Sequence, residues 1–149
     1  MIEASDLELR RLVYAHVVDH GRPPTVAEAA AGSGAEPDEI AAAYRRLHDA
    51  HAFVLFPDSL EIWIANPFCF AATPHRVACA GRTWTATCAW DALGIPVALE
   101  KDARVDTACA CCGTALQLEV SVGDLTRGRD LLVHFVVPAR HWWDDIGFT

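Results

Sequence analysis

Cys88-Ala89-Trp90-Asp91 pairs a cysteine with a carboxylate three residues on. On a helix this spacing places a soft nucleophile and a proton carrier on one face. If the helix starts near Cys88, the free amides at its positive end stabilise a thiolate and lower its pKa from about 8.5. A carboxylate beside a thiol acts the other way, so the two groups make most sense sharing one proton. The same residues also fit a structural cysteine next to a helix-N-terminal aspartate. Further on comes the thiol-dense Cys109-Ala110-Cys111-Cys112-Gly113. Cys109-x-x-Cys112-Gly113 has the spacing of a zinc knuckle, with the glycine permitting the turn that aims two sulfurs at one ion. A structural zinc takes four ligands and no second Cys-x-x-Cys exists, so Cys79, Cys69, His75 or Cys111 would have to complete the site. Zinc is therefore disfavoured, and some of these cysteines read equally well as small core hydrophobes.

The elements that must position these groups begin with helices. Ser5-Asp6-Leu7-Glu8 reads as a capping box opening a helix with Leu9, Leu12, Val13, His16 and Val17 on its apolar stripe, closed at Gly21 and Pro23-Pro24. Thr25-Val26-Ala27-Glu28 opens a second helix that stops near Gly32-Ser33-Gly34. Pro37 suits the first turn of a third helix, with Ile40, Tyr44, Leu47 and His48 on its buried side. Ala52–Phe56 and Leu60–Ala65 then form a hairpin through Pro57-Asp58-Ser59. Helix, helix, helix, hairpin is the order of a winged helix over residues 1–66. Those residues carry five Arg or Lys against eleven Asp or Glu, a balance of −6 that opposes phosphate binding. The unit reads as a scaffold, and nucleic acid is disfavoured as a partner.

Residues 67–149 form the second region, entered through a linker from Asn66 to Pro74. Strands are expected at His75–Cys79, Arg82–Ala86, Ala103–Ala108, Ala115–Ser121 and Leu131–Val137, with a short helix from Thr87 or Cys88 to about Gly94, ended by Ile95-Pro96. The tail from Arg140 begins as a helical turn. His134 reads as a hydrogen-bonded core residue, and about three of the five tryptophans as core. The fold class is α+β: a winged-helix-like three-helix unit with a hairpin, then a mixed β-sheet region with short helices.

At 149 residues the chain is long enough to bury a core without disulfides or metal. Apolar residues make up 52% and charged ones 21%, with mean hydropathy +0.17, which describes a packed globular chain. No apolar run approaches the ~20 residues of a membrane span, and the acidic N-terminus lacks the pattern of a secretory signal. The expected compartment is cytoplasmic, where six cysteines stay reduced and favour metal or catalytic roles. A net charge of −8 opposes general affinity for nucleic acid or anionic membrane.

Arg82–Ser121, RTWTATCAWDALGIPVALEKDARVDTACACCGTALQLEVS, resembles the core of the alkylmercury lyase (organomercurial lyase) family. The Cys-x-x-Asp element, the Leu/Ile-Pro segment after it, and the cysteine-glycine turn before an alternating strand carry the resemblance. It extends more loosely to Leu131–Pro138 and to the order of the N-terminal elements. The resemblance implies protonolysis of a carbon–mercury bond, with Cys88 as nucleophile and mercury ligand and Asp91 as proton carrier. Cys109 falls at a cysteine that is structural in the family, whereas Cys111 and Cys112 have no named counterpart. Mercury would be substrate and bound product, no dissociable cofactor is implied, and low-molecular-weight thiols or a mercury-accepting protein would remove the product.

The family's second catalytic cysteine aligns immediately after Phe148-Thr149, where this sequence stops. Three explanations stand open: a truncated chain, with a selenocysteine codon read as a stop as one route; a second thiol supplied by Cys111, Cys112 or Cys79; or a protein that binds metal without turnover. The metal ligands expected are Cys88, Cys111 and Cys112. The rival reading is a thiol-based metal-binding or metal-sensing module that lacks lyase activity.

Overall fold

The computed structural model describes residues 2–147, and the chain divides into two compact units, Met1–Ala71 and Ala72–Thr149. The first unit holds α1 (Ala4–His20), α2 (Val26–Ser33) and α3 (Pro37–Asp49), then an antiparallel sheet of β1 (Val54–Leu55), β2 (Ile62–Ala65) and β3 (Phe68–Cys69) in that order. Val13, Tyr44, Leu47 and Phe53 are fully buried at its centre. Each such side chain contributes roughly 1.5–3 kcal/mol of transfer free energy. The Tyr44 hydroxyl donates to Pro24 O at 3.3 Å, so its polar end is also satisfied.

Two of the three helix starts follow the sequence. Thr25 Oγ1 accepts from Glu28 N–H at 3.2 Å while Glu28 Oε2 accepts from Thr25 N–H at 2.8 Å, the reciprocal box at α2. Pro37 occupies the first turn of α3. At α1, however, the cap is Glu3 rather than Ser5. Asp6, not Glu8, reaches back, accepting from Glu3 N–H at 3.0 Å. The reason lies outside the helix: Arg46 of α3 donates to Asp6 from Nε at 3.0 Å and from Nη2 at 2.6 Å. That bidentate grip holds the carboxylate in the interior, 1% exposed, and fixes the first turn around it.

The sheet of the first unit also runs past Asn66, where the sequence suggests a linker. Phe68 and Cys69 are buried and pair with Ala65 and Ile64, which moves the division between units to Ala71/Ala72.

The second unit is a five-stranded sheet of β4 (Arg76–Cys79), β5 (Arg82–Thr85), β6 (Ala103–Ala108), β7 (Ala115–Ser121) and β8 (Asp124–Arg127), in the order β5-β4-β6-β7-β8. Every pairing is antiparallel, so the mixed region expected is an antiparallel sheet. Trp84, Val77, Val105 and Leu118 stand in one row across four strands and are all buried. The helix α4 (Ala89–Leu99) packs over β4 and β6 and buries Ala92, Ile95 and Pro96. The opposite face of the sheet is polar: Asp106 takes an ion pair from Arg104 at 3.1 Å and a hydrogen bond from Gln117 Nε2 at 2.8 Å.

Three expectations for this unit fail. First, α4 runs through Pro96 to Leu99 instead of ending at Ile95-Pro96. The lost amide bond is offset by burying Ile95 and Pro96 under the helix, and Lys101 N–H closes the end on Pro96 O at 3.1 Å. Second, Leu131–Val137 is not a strand; residues 131–136 are exposed and β8 occupies the sheet edge beside β7. An apolar run cannot pair where that edge is already taken, and His134 is accordingly exposed rather than core. Third, only Trp84 of the five tryptophans is fully buried. The helical turn expected near Arg140 is present as a short 3-10 turn at Ala139–His141, and Phe148 and Thr149 lie outside the described residues.

Candidate active site

The strand-to-helix junction after β5 is pinned before the cysteine is reached. Ala86 N–H bonds His75 O at 3.1 Å, and the Thr73 hydroxyl donates to Ala86 O at 2.6 Å. Two residues on, Cys88 caps α4 with extended backbone (φ −140°, ψ 177°), and its carbonyl accepts the first helical bond from Ala92 N–H at 3.0 Å. A cysteine replaces the usual serine or aspartate at this cap. Its Sγ accepts from Asp91 N–H at 3.5 Å, and its S–H donates to Asp91 Oδ2 at 3.6 Å. Cys88 and Asp91 share a helical face with Ala92 and Ile95, which are buried. This places both reactive groups at the margin of the core, half-buried.

That position reverses one expectation. The helix-terminal amide does stabilise a thiolate, but burial outweighs it, and the Asp91 carboxylate adds to burial, so the Cys88 thiol is pushed up rather than down. Burial likewise raises the Asp91 carboxyl, with the Cys88 thiol hydrogen bond opposing. The pair therefore holds a proton between two groups that each resist ionisation. Beside it, Thr87 Oγ1 is buried without a hydrogen-bond partner among the described residues.

Trp90, between the two reactive residues, is 60% exposed and makes an edge contact with Phe135 at 6.3 Å between ring centroids. Phe135 in turn packs on Trp142 at 5.0 Å, and Trp142 Nε1–H donates to Val137 O at 3.0 Å. The segment expected as a strand thus supplies an aromatic contact to Trp90, two residues along the chain from the cysteine. Its signal was apolar character alone, which does not distinguish a strand from such a contact.

The remaining cysteines are placed in two ways. Cys69 and Cys79 are buried, and burial raises the Cys79 thiol. Cys109–Cys112 form the β6–β7 turn, closed by Gly113 N–H on Cys109 O at 2.8 Å and Cys109 N–H on Thr114 O at 2.9 Å. Gly113 sits at φ 71°, the left-handed region that the glycine was expected to provide. Cys111 and Cys112 are exposed. Among the described residues no three His, Cys, Asp or Glu side chains converge as a metal group. A cleft of about 590 Å³ opens in the first unit, lined by Leu9, Ile40 and Arg46 among others, and holds no cysteine.

An antiparallel sheet under one helix, with a capping thiol hydrogen-bonded to a carboxyl on the next turn, defines a thiol-bearing α+β protein. The chain belongs to the alkylmercury lyase family, whose model matches residues 68–149. In fold it is similar to a solved structure, the mercury-bound form of MerB2, with a TM-score of 0.71 and 21% sequence identity. That likeness covers 85% of this chain and 60% of the other, so this chain spans less than two thirds of that protein's length. No curated protein matches it. No helix among the described residues is long and apolar enough to cross a membrane.

Proposed function

We propose that this chain acts as an organomercurial lyase, binding organomercury through Cys88 and using Asp91 to carry the proton that cleaves the carbon–mercury bond. The observation that carries this reading is the Cys88 S–H donated to Asp91 Oδ2 at 3.6 Å, both groups half-buried, in a chain of this family. The steps balance. Sulfur bonds to mercury and displaces the anion or small thiol bound there, and the Cys88 proton passes to the Asp91 carboxylate. The carboxylic acid then protonates the carbon, the carbon–mercury bond breaks, and hydrocarbon leaves while Hg²⁺ stays on sulfur. A carboxyl raised by burial holds that proton near neutral pH better than an ordinary aspartate. No dissociable cofactor enters, and small thiols or a mercury-accepting protein would strip the product in a reducing cytoplasm. The first unit, with its acidic balance, serves as a winged-helix-like scaffold rather than a nucleic-acid reader.

A second reading, metal binding without turnover, is favoured by one observation: no third His, Cys, Asp or Glu joins the Cys88–Asp91 pair among the described residues. One assay separates the two. Methane or benzene released from methyl- or phenylmercury under excess thiol, and abolished by Cys88→Ala and by Asp91→Ala, supports the lyase. Stoichiometric mercury binding with no hydrocarbon in the headspace sinks it and leaves the binding module.

A further inference from the structure

We infer that Cys109 and Cys112 form a second soft-cation site, separate from Cys88, that takes a thiophilic d¹⁰ cation as a two-coordinate bis-thiolate. The geometry is that of a closed turn. The two hydrogen bonds that join Cys109 to Gly113 and Thr114 fix the four-residue loop from its base, and Cys112 Sγ lies 3.1 Å from Thr114 Oγ1. Cys109 and Cys112 both lie on this one loop, three residues apart. Cys112 is exposed and Cys109 half-buried, so an ion reaches the pair from solvent while one ligand stays fixed.

Coordination number selects the ion. Zinc needs four ligands, and among the described residues no three His, Cys, Asp or Glu side chains converge. Two soft thiolates with nothing else satisfy an ion content with linear coordination, such as Hg²⁺ or Cu⁺. Binding Hg²⁺ forms two S–Hg bonds and releases two protons, with no change of oxidation state. Because both sulfurs sit on one short turn, the second bond forms intramolecularly, and the pair holds the ion against a monothiol.

The turn also has a defined relation to Cys88. Thr85, Arg76 and Asp106 stand side by side on β5, β4 and β6, and β5 and β6 both run antiparallel to β4. Cys88 and Cys109 each follow that row by three residues, so both leave the sheet at the same end.

The test uses the reduced full chain carrying Cys88→Ser, so the outcome does not depend on the lyase reading. Titration with HgCl₂ against a tenfold excess of N-acetylcysteine, read by ultraviolet S–Hg charge transfer and native mass spectrometry, should retain one equivalent of Hg²⁺. Adding Cys109→Ser or Cys112→Ser should weaken that equivalent at least 100-fold, while Cys111→Ser leaves it in place and Zn²⁺ fails to displace it. Circular dichroism matching the parent shows that the variants fold. No retained equivalent in Cys88→Ser, retention in both Cys109→Ser and Cys112→Ser, or dependence on Cys111 would each overturn the site.

Discussion

Cys88 and Asp91 are close enough to share a proton, and burial raises both, so their behaviour should separate cleanly on substitution. Burial does most to hold the Cys88 thiol up, and Asp91→Asn removes the carboxylate repulsion and acceptor that add to it, leaving burial opposed by the helix-terminal amides. The pH dependence of Cys88 alkylation by iodoacetamide, read on its peptide by mass spectrometry, should therefore move to lower pH in Asp91→Asn. An unchanged profile would mean that the carboxyl does not act on the thiol. The same variant should still bind one methylmercury through Cys88 yet lose about 10²–10⁴-fold in hydrocarbon release, the usual contribution of a positioned proton carrier. The pair was legible in the sequence because its spacing is local. The direction of the thiol shift was not, since it depends on how deeply α4 seats against β4 and β6.

Between elements, the contact most exposed to test is the grip of α3 on the start of α1. Asp6 is 1% exposed, while the Arg46 side chain is 36% exposed. Arg46→Ala leaves a buried carboxylate without its partner and should lower the denaturant midpoint of unfolding at neutral pH. The Arg46 hydrogen bonds hold the Asp6 carboxyl below the usual carboxylate range despite opposing burial. A carboxyl with a depressed folded pKa contributes stability above its ordinary value of about 3.9, and that contribution drains as pH falls through the lower folded value. Arg46→Ala should accordingly lose less stability on acidification than the parent; an equal loss would show that this pair is not the source. The sequence marked the wrong cap here because Ser5 and Glu8 satisfy the local rule, whereas Asp6 is held by a residue on another helix. Pro96 misled in the same way: its local meaning is an end, and its tertiary burial carries the helix onward.

For the molecule as a whole, the second and third helices and four of the five strands of the second unit were legible from period, capping and glycine turns. The sheet edge was not, because Leu131–Val137 is more apolar than Asp124–Arg127 and only register decides which pairs with β7. That misplaced segment brings the aromatic contact to Trp90, and the contact has an optical consequence. Trp84 is sealed in the sheet core, whereas Trp90 lies between the two proposed reactive residues in sequence and is open to solvent. Mercury on Cys88, two residues from Trp90 along the chain, is expected to quench its emission by spin–orbit coupling. Phenylmercury binding should therefore dim the red-edge part of the protein's fluorescence and leave the blue part, with the loss absent in Trp90→Phe and Cys88→Ser. The chain would then report each loading event by its own light, without an added label.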